Sequence, residues 1–505
     1  MTATETPPRR PGTVVVGRAG FPQLLRAEWT KLRTVRRWGL TLLAAVLVTV
    51  LISLFSAASS GVDVEGGGGS SASDGPGRHV RDDFTFVHRT LPADGSVTAR
   101  VRGPVGVSPG RAPEWAKAGV LVKENTESGS DYAALMVTPG HGVRFQNDFT
   151  RDVAGGAASA DTPHWLRLTR AGATITAYTS AEGRDWRRIG TAELDKSTGA
   201  ASAGLFVASP NAQSMKREFG NVSVGDDPSR STARFDEVTV KGAASGGDWQ
   251  RTDVGQANGE QGELSRSGGT FTLTGSGDIA PGAPMQPDLV ATALNGSQLG
   301  LVLIAALGVL FITAEYRRGM IRTTFTASPR RGRVLVAKAV VVGAAAFAAG
   351  LVASLASFLL SMPVLRDNGH KPPRFPEISL TDGPVLRAVL GTAALLALIA
   401  VLAMALGSLL RNTAAAITTV IVVIVLPLIL VSMLPLGLSQ WLQRLTPVAG
   451  FAIQETTPRY DQVASLCLPE DGCYPQGPWT GLATLAAYAV VVLGIAVWRI
   501  RKKDA

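Results

Sequence analysis

Residues 38–55 read WGLTLLAAVLVTVLISLF, an uncharged apolar run flanked on its N-terminal side by Arg36 and Arg37. A helix of about 20 such residues matches the roughly 30 Å hydrocarbon core of a bilayer. Five more runs of this kind follow: Leu289–Ala314, Val334–Leu360, Val385–Leu410, Ala414–Leu436 and Trp479–Trp498. One such run suits a buried core helix, but six with basic flanks argue for spans. Between the first and second runs the chain turns polar and strand-like. The expected fold is therefore a membrane α-helical bundle of six transmembrane helices, with an all-β sandwich inserted between helices 1 and 2. The first run reads as a retained helix rather than a signal peptide, since a long n-region precedes it and no A-x-A site follows.

The hydrophobic content of the 505-residue chain, 46%, is ordinary, but its distribution is not. The net charge of +10 points away from nucleic acid, because many of the basic residues crowd beside apolar runs, as the positive-inside bias requires. No zinc-knuckle spacing, basic–aromatic stripe or recognition-helix pattern accompanies them. Arg26, Lys31, Arg33, Arg36 and Arg37 place the N-terminus in the cytoplasm, and six crossings return the C-terminus, with Arg499, Arg501, Lys502 and Lys503, to the same side. The most basic loop, EYRRGMIR (315–322) followed by SPRRGR (328–333), then lies inside. Lys338, near the start of the third run, is expected to snorkel to the interface.

The organisation reads as a cytoplasmic N-terminus (1–37), a first span (38–58), a flexible Gly/Ser-rich linker (59–79), an extracytoplasmic β-sandwich (80–284), and spans 2–6 (285–505). The last segment carries a cytoplasmic loop at 315–333 and an outside loop at 438–478. That outside loop holds both cysteines, Cys467 and Cys473, for which a disulfide is the natural reading in an oxidising exterior. It also holds a semi-apolar stretch between Leu438 and Phe451, too short to span, which reads as a re-entrant or interfacial helix.

Ionisable residues are nearly absent from the centres of the runs, whereas ion-coupled carriers keep Asp, Glu or His there. No G-x-x-x-x-G-K-[ST] loop exists in the chain to bind ATP. Any ATP-driven step belongs to another subunit.

Two stretches carry a family resemblance. FPQLLRAEWTKLRTV (21–35), and ITAEYRRGMIRTT (312–324) with SPRRGRVLVAK (328–338), resemble the signatures of actinobacterial type-2 ABC transporter permeases. The resemblance covers the runs and their flanks, about half of the chain. It implies a six-helix permease subunit of an exporter, not itself an enzyme. Such a subunit pairs with a second permease copy or homologue and with ATPase subunits that carry the ATP and Mg; this chain needs no cofactor of its own. It further implies an amphipathic elbow helix, here with Glu28, Trp29, Lys31 and Arg33, lying against membrane lipids. The ATPase-coupling loop would be formed by Glu315, Tyr316, Arg317, Arg318, Arg322, Arg330, Arg331 and Arg333. The alternative for those arginines is that they set topology and bind anionic lipid.

Strand-like runs of period two recur from Asp83 to Val207 with Gly, Asn and Asp turns between them. WAKAGV (115–120), WLRL (165–168), SAEGRDW (180–186) and FDEV (235–238) resemble a concanavalin-like jelly roll of carbohydrate-associated proteins. DWQRTDVG (248–255) with GTFTLTGSGD (269–278) looks like its opening hairpin placed last, which implies a circular permutation. Trp115, Trp165 and Trp186 are suited either to stacking on a sugar of the cell envelope or to filling the core. Glu124, Glu127 and Asp131 read as a solvated acidic loop, and no metal site is marked. The competing reading of the whole chain is a membrane-anchored envelope receptor or carbohydrate-binding adhesin, for which six spans are more than an anchor requires.

Overall fold

The computed structural model describes residues 20–60, 71–73, 79–107, 112–194, 199–218, 221–242, 248–255, 261–281, 288–317, 331–370, 378–431, 433–457, 460, 462 and 473–503. Helix α1 (Phe21–Thr34) opens with Pro22 in its first turn and closes with Lys31 and Arg33 in its last. Proline suits the turn whose N–H groups lack partners, and basic side chains suit the negative helix end. Val35, in an extended conformation, separates it from α2 (Arg36–Ser59).

Among the described residues, six helical segments are long and apolar enough to cross a membrane. These are α2, the broken pair α3 (Leu289–Leu294) and α4 (Ser297–Arg317), α5 (Arg331–Asp367), α6 (Gly383–Leu410), α7 (Thr413–Val431) and α9 (Pro478–Lys503). Between α7 and α9 lie the short α8 (Leu436–Leu445) and a 3₁₀ segment (Pro447–Gln454) whose residues are all buried.

The first two spans meet closely although the whole β domain separates them in sequence. A Cβ added to Gly296 would sit 1.9 Å from the Thr49 carbonyl oxygen, and one on Gly300 2.0 Å from Thr49 Oγ1. Two glycines four apart let helix backbones touch. The Gly296 N–H donates to Ser53 Oγ at 3.1 Å, and Asn295 Nδ2 to Ser56 Oγ at 3.3 Å. Gly308 plays the same part between α4 and α6, where a Cβ would lie 2.4 Å from the Ala400 carbonyl.

One end of the bundle gathers the end of α4, the α6–α7 turn and the end of α9. The Arg411 guanidinium lies 5.4 Å from the Tyr316 ring, and Arg499 Nη1 donates to the Leu409 carbonyl at 3.2 Å. The opposite end holds the close of α2, where Asn368 Nδ2 donates to the Ala57 carbonyl at 2.9 Å. There too Asp288 caps α3 by accepting from Val290 and Ala291 N–H, and it accepts the Thr456 hydroxyl at 2.9 Å.

The β domain packs two antiparallel sheets face to face. The first runs β1 (Ser71–Ser73), β2 (His79–Leu91), β11 (Ala201–Ala208), β4 (Lys117–Lys123), β5 (Tyr132–Thr138), β6 (Gly142–Asn147) and β7 (Arg151–Gly156). Strands β15 (Gln250–Val254) and β18 (Asp278–Pro281) also pair with β2. The second sheet runs β10 (Arg187–Glu193), β9 (Thr174–Ser180), β8 (His164–Ala171), β3 (Asp94–Gly106), β14 (Ser231–Lys241), β17 (Thr270–Gly275) and β16 (Glu263–Ser267). A separate hairpin pairs β12 (Ala212–Glu218) with β13 (Asn221–Asp227). Val97, Ala99 and Val101 of β3 join Val120 and Val122 of β4 and Leu166 and Leu168 of β8 in the core between the sheets. Alternation sets this arrangement, since every second residue of a strand faces the same way.

The domain enters on β2 and leaves on β18, and these are antiparallel neighbours with Val80 opposite Pro281. Its two ends therefore lie side by side, the geometry an inserted domain needs. Two expectations are corrected. The segments around Trp249 and Phe271 do not form one hairpin: β15 pairs with β2, Val254 opposite Phe84, while β17 lies between β14 and β16 in the other sheet. The rings of Trp249 and Phe271 still meet edge to face, 5.2 Å apart. Nor is 59–79 all linker, because Ser71–Ser73 pairs with β2.

Candidate functional site

The site begins with three residues that lie far apart in sequence: Glu28 on α1, Glu315 near the end of α4, and Lys338 in the second turn of α5. Lys338 is 1% exposed, Glu28 2% and Glu315 7%. Lys338 Nζ donates to Glu28 Oε2 at 2.7 Å and to Glu315 Oε1 at 2.6 Å. Lys31, half exposed on the rim, donates to Glu28 Oε1 at 3.0 Å and to Glu315 Oε1 at 3.2 Å. Two lysines and two glutamates thus form a closed, charge-balanced network. The Phe311 ring lies 5.1 Å from the Lys338 ammonium and adds a cation–π contact.

Each element supplies its residue for a local reason. Glu28 and Leu32 are the buried residues of α1, one turn apart on the face turned to the bundle. Leu32 joins Phe311, Leu335 and Ala339 in a shared apolar cluster. Lys31 also faces the carboxylates. Burial opposes its charge, but the Glu28 hydrogen bond and the fields of Glu315 and Glu28 outweigh this and raise its pKa. Lys338 does not snorkel as expected; it turns inward because two carboxylates wait there, and ionised groups held in low dielectric must be paired. Trp29 and Arg33 lie on the exposed side of the same helix.

Arg317, at the end of α4, and Arg333, in the first turn of α5, are exposed. Tyr316 stacks under Arg411, and Arg331 opens α5. Arg318, Arg322 and Arg330 lie outside the described residues. Cys473 is disulfide-bonded, and Cys467 lies outside the described residues.

In the β domain the three tryptophans do not converge. Trp115 is 6% exposed and its ring stacks on His141 at 3.8 Å. Trp165 and Trp186 are half-buried on the outer face of the second sheet, edge to face at 6.5 Å. Both are engaged by arginines: Arg167 lies 3.7 Å from the Trp186 ring centre and Arg100 5.9 Å from that of Trp165. Arg100 is itself bound by both oxygens of Asp236, at 2.5 and 2.9 Å.

The alternation of β4 suggests solvent-facing lysines, yet the structure buries both completely. Lys117 Nζ meets Asp278 Oδ1 at 2.5 Å, and Lys123 Nζ meets Asp82 Oδ2 at 2.7 Å. This face of the sheet carries an apolar cluster of its own, with Phe84, Phe86, Leu121, Met136 and Phe206 among its members, joined by Phe149 and Ile279. Burial pushes the Asp82 carboxyl up and the Lys123 ammonium down, and each partly holds the other charged. The β domain is tied to the segment after α8: Gln462 Nε2 donates to the Thr150 carbonyl at 3.2 Å.

No protein-family model matches the chain, and no curated protein shows significant sequence similarity to it. Among solved structures, scytalido-glutamic peptidase with a transition state analog inhibitor is 14% identical at a TM-score of 0.28, covering 38% of this chain and 98% of its own. The carbohydrate binding module CBM66 from Bacillus subtilis is 16% identical at 0.22, covering 34% and 91%. Scores this low leave the activities of those proteins with those proteins. The chain itself is defined by its parts: six helices able to cross a membrane and a two-sheet β domain that follows the first of them.

Proposed function

We propose that this chain is the membrane-spanning subunit of an ATP-driven exporter, working with a separate ATPase subunit and a second permease copy or homologue. The observation that carries the reading is the Glu28–Lys338–Glu315 network. It locks the amphipathic helix onto the helix ends that flank the basic loop. A push on that loop is thereby passed to α4, α5 and α1 together, which is what coupling to an ATPase demands. The network sits at a bundle end and is balanced in charge, so it does not form the midway chain of carboxylates that ion-coupled carriers use. The gathering of α4, the α6–α7 turn and α9 at that same end supports a cytoplasmic placement of all three. The β domain then stands outside the cell, as a two-sheet sandwich whose ends, β2 and β18, lie side by side.

Affinity purification of the full chain from its native membranes tests this. An ATP-hydrolysing subunit is expected to co-purify, and Arg317→Ala, Arg318→Ala, Arg322→Ala and Arg333→Ala together are expected to abolish its association. Recovery of the chain with no nucleotide-hydrolysing partner would refute the reading.

A further inference from the structure

At the edge of the sandwich the two sheets part around a cavity of about 500 Å³, within the roughly 300–1,000 Å³ range of small-ligand sites. Asn147, from the end of β6, and Arg151, from the start of β7, line it from the first sheet. Thr174, from β9, and Thr191 and Glu193, from β10, line it from the second. Asp131 and Asp148 complete the wall.

Asn147 is the informative residue. It is 5% exposed, and its side-chain amide has no hydrogen-bond partner among the described residues. Its amide atoms open onto the cavity, so a partner for them has to come from what enters it. Glu193 has no ion-pair partner among the described residues, and Asp131 has no direct one, although its field reaches the buried Lys123. Three carboxylates in the lining face a single guanidinium, that of Arg151, so the cavity attracts a cation. The threonine hydroxyls and the amide offer donors and acceptors to hydroxyl groups.

We infer that this inter-sheet cavity is a binding site for a small hydroxyl-rich cation, an amino sugar with a free amine. The ammonium is held between Asp131 and Glu193, and ring hydroxyls reach Asn147, Thr174 and Thr191. This goes beyond the exporter reading and does not depend on it, nor on the Trp165–Trp186 face.

Titration calorimetry of the full-length protein in detergent, at mildly acidic pH, tests the site with glucosamine as probe and N-acetylglucosamine as its uncharged counterpart. Glucosamine is expected to bind saturably, with N-acetylglucosamine at least about tenfold weaker. The double variant Asp131→Asn/Glu193→Gln is expected to weaken glucosamine by at least about tenfold while keeping the unfolding temperature, because Glu193 is exposed, Asp131 is half-buried and both replacements keep the side chain's size. Asn147→Ala is expected to weaken both sugars. The inference is overturned by unsaturable glucosamine binding, by equal affinity for the acetylated sugar, or by a double variant that binds like the parent. Should Asn147→Ala unfold, the double variant decides alone.

Discussion

Both halves of the molecule bury lysine against carboxylate, and they do it differently. In the β domain the pairs are one to one and lie within one sheet: Lys117 with Asp278, Lys123 with Asp82. In the helical bundle one lysine serves two carboxylates on different elements, and a second lysine closes the ring. Pairing within a sheet fixes how strands lie together. Pairing among three helices ties separate elements to one another, which is why the proposed function rests on the bundle network and not on the sheet pairs.

The sharpest way to break that contrast is to remove one lysine from each half. Lys338→Ala leaves Glu28 and Glu315 buried without their main cation and is expected to cost about 3–5 kcal/mol, read as a fall in unfolding temperature of the detergent-solubilised chain. Lys123→Met is expected to do similar damage. The rescues should then differ. Lys123→Met with Asp82→Leu is expected to regain most of the stability, since buried pairs are often replaceable by apolar groups. The shortfall reflects the Gly129 N–H that Asp82 accepts at 2.7 Å. Lys338→Met with Glu28→Leu and Glu315→Leu is expected to regain stability but, on the proposed reading, not export, because an apolar contact does not fix the position of α1. Full export by that triple variant would erase the distinction.

A smaller effect is expected where the bundle relies on shape instead of charge. Gly296→Leu forces a side chain into the Thr49 carbonyl, which a Cβ alone already meets at 1.9 Å. Overpacking of this kind is worth about 1–3 kcal/mol. The loss should appear in the unfolding of the helices and leave the β domain transition in place, since the strand pairs lie elsewhere.

How far the sequence showed this arrangement depended on the range of each signal. The spans were legible because a run of apolar residues is a local property, and the observed helices contain the expected runs to within a few residues. Helix α1 was legible through the resemblance carried by residues 21–35, which implied an amphipathic helix there. The network was not, because Lys338 lies 310 positions from Glu28 and 23 from Glu315, and no local pattern pairs them. Strands such as β4 and β8 were legible from alternation. Edge strand β7, RDVAGG, was not, having little apolar content to alternate. The burial of Lys117 and Lys123 was invisible because alternation reports two faces, not that both faces of this sheet are buried. Asp131 was read as part of a solvated loop, and its neighbours in the cavity come from strands distant in sequence.

The finest test uses the one member of the sheet's carboxylate trio that has no lysine. Asp82 has Lys123 and Asp278 has Lys117, but Asp83 has no lysine and only the weaker field of Arg81. It accepts the Asp278 N–H at 3.1 Å. Burial pushes its carboxyl from 3.8 up to about 6, a rise that this hydrogen bond only partly opposes. The folded state therefore holds the Asp83 proton more tightly than the unfolded chain does. The stabilisation is complete below about pH 4, falls as the pH rises toward 6, and is gone above it. With partial exposure discounted, the loss should be about 1–2 kcal/mol. Asp83→Asn keeps an oxygen for the Asp278 N–H and carries no proton to lose. It is expected to match the parent near pH 4 and to exceed it by that amount near pH 7, in the β domain transition and not in that of the helices. A variant whose advantage does not grow with pH would show that the lysines of Asp82 and Asp278 also serve Asp83, and the one-to-one description of the sheet would give way to a shared network like that of the bundle.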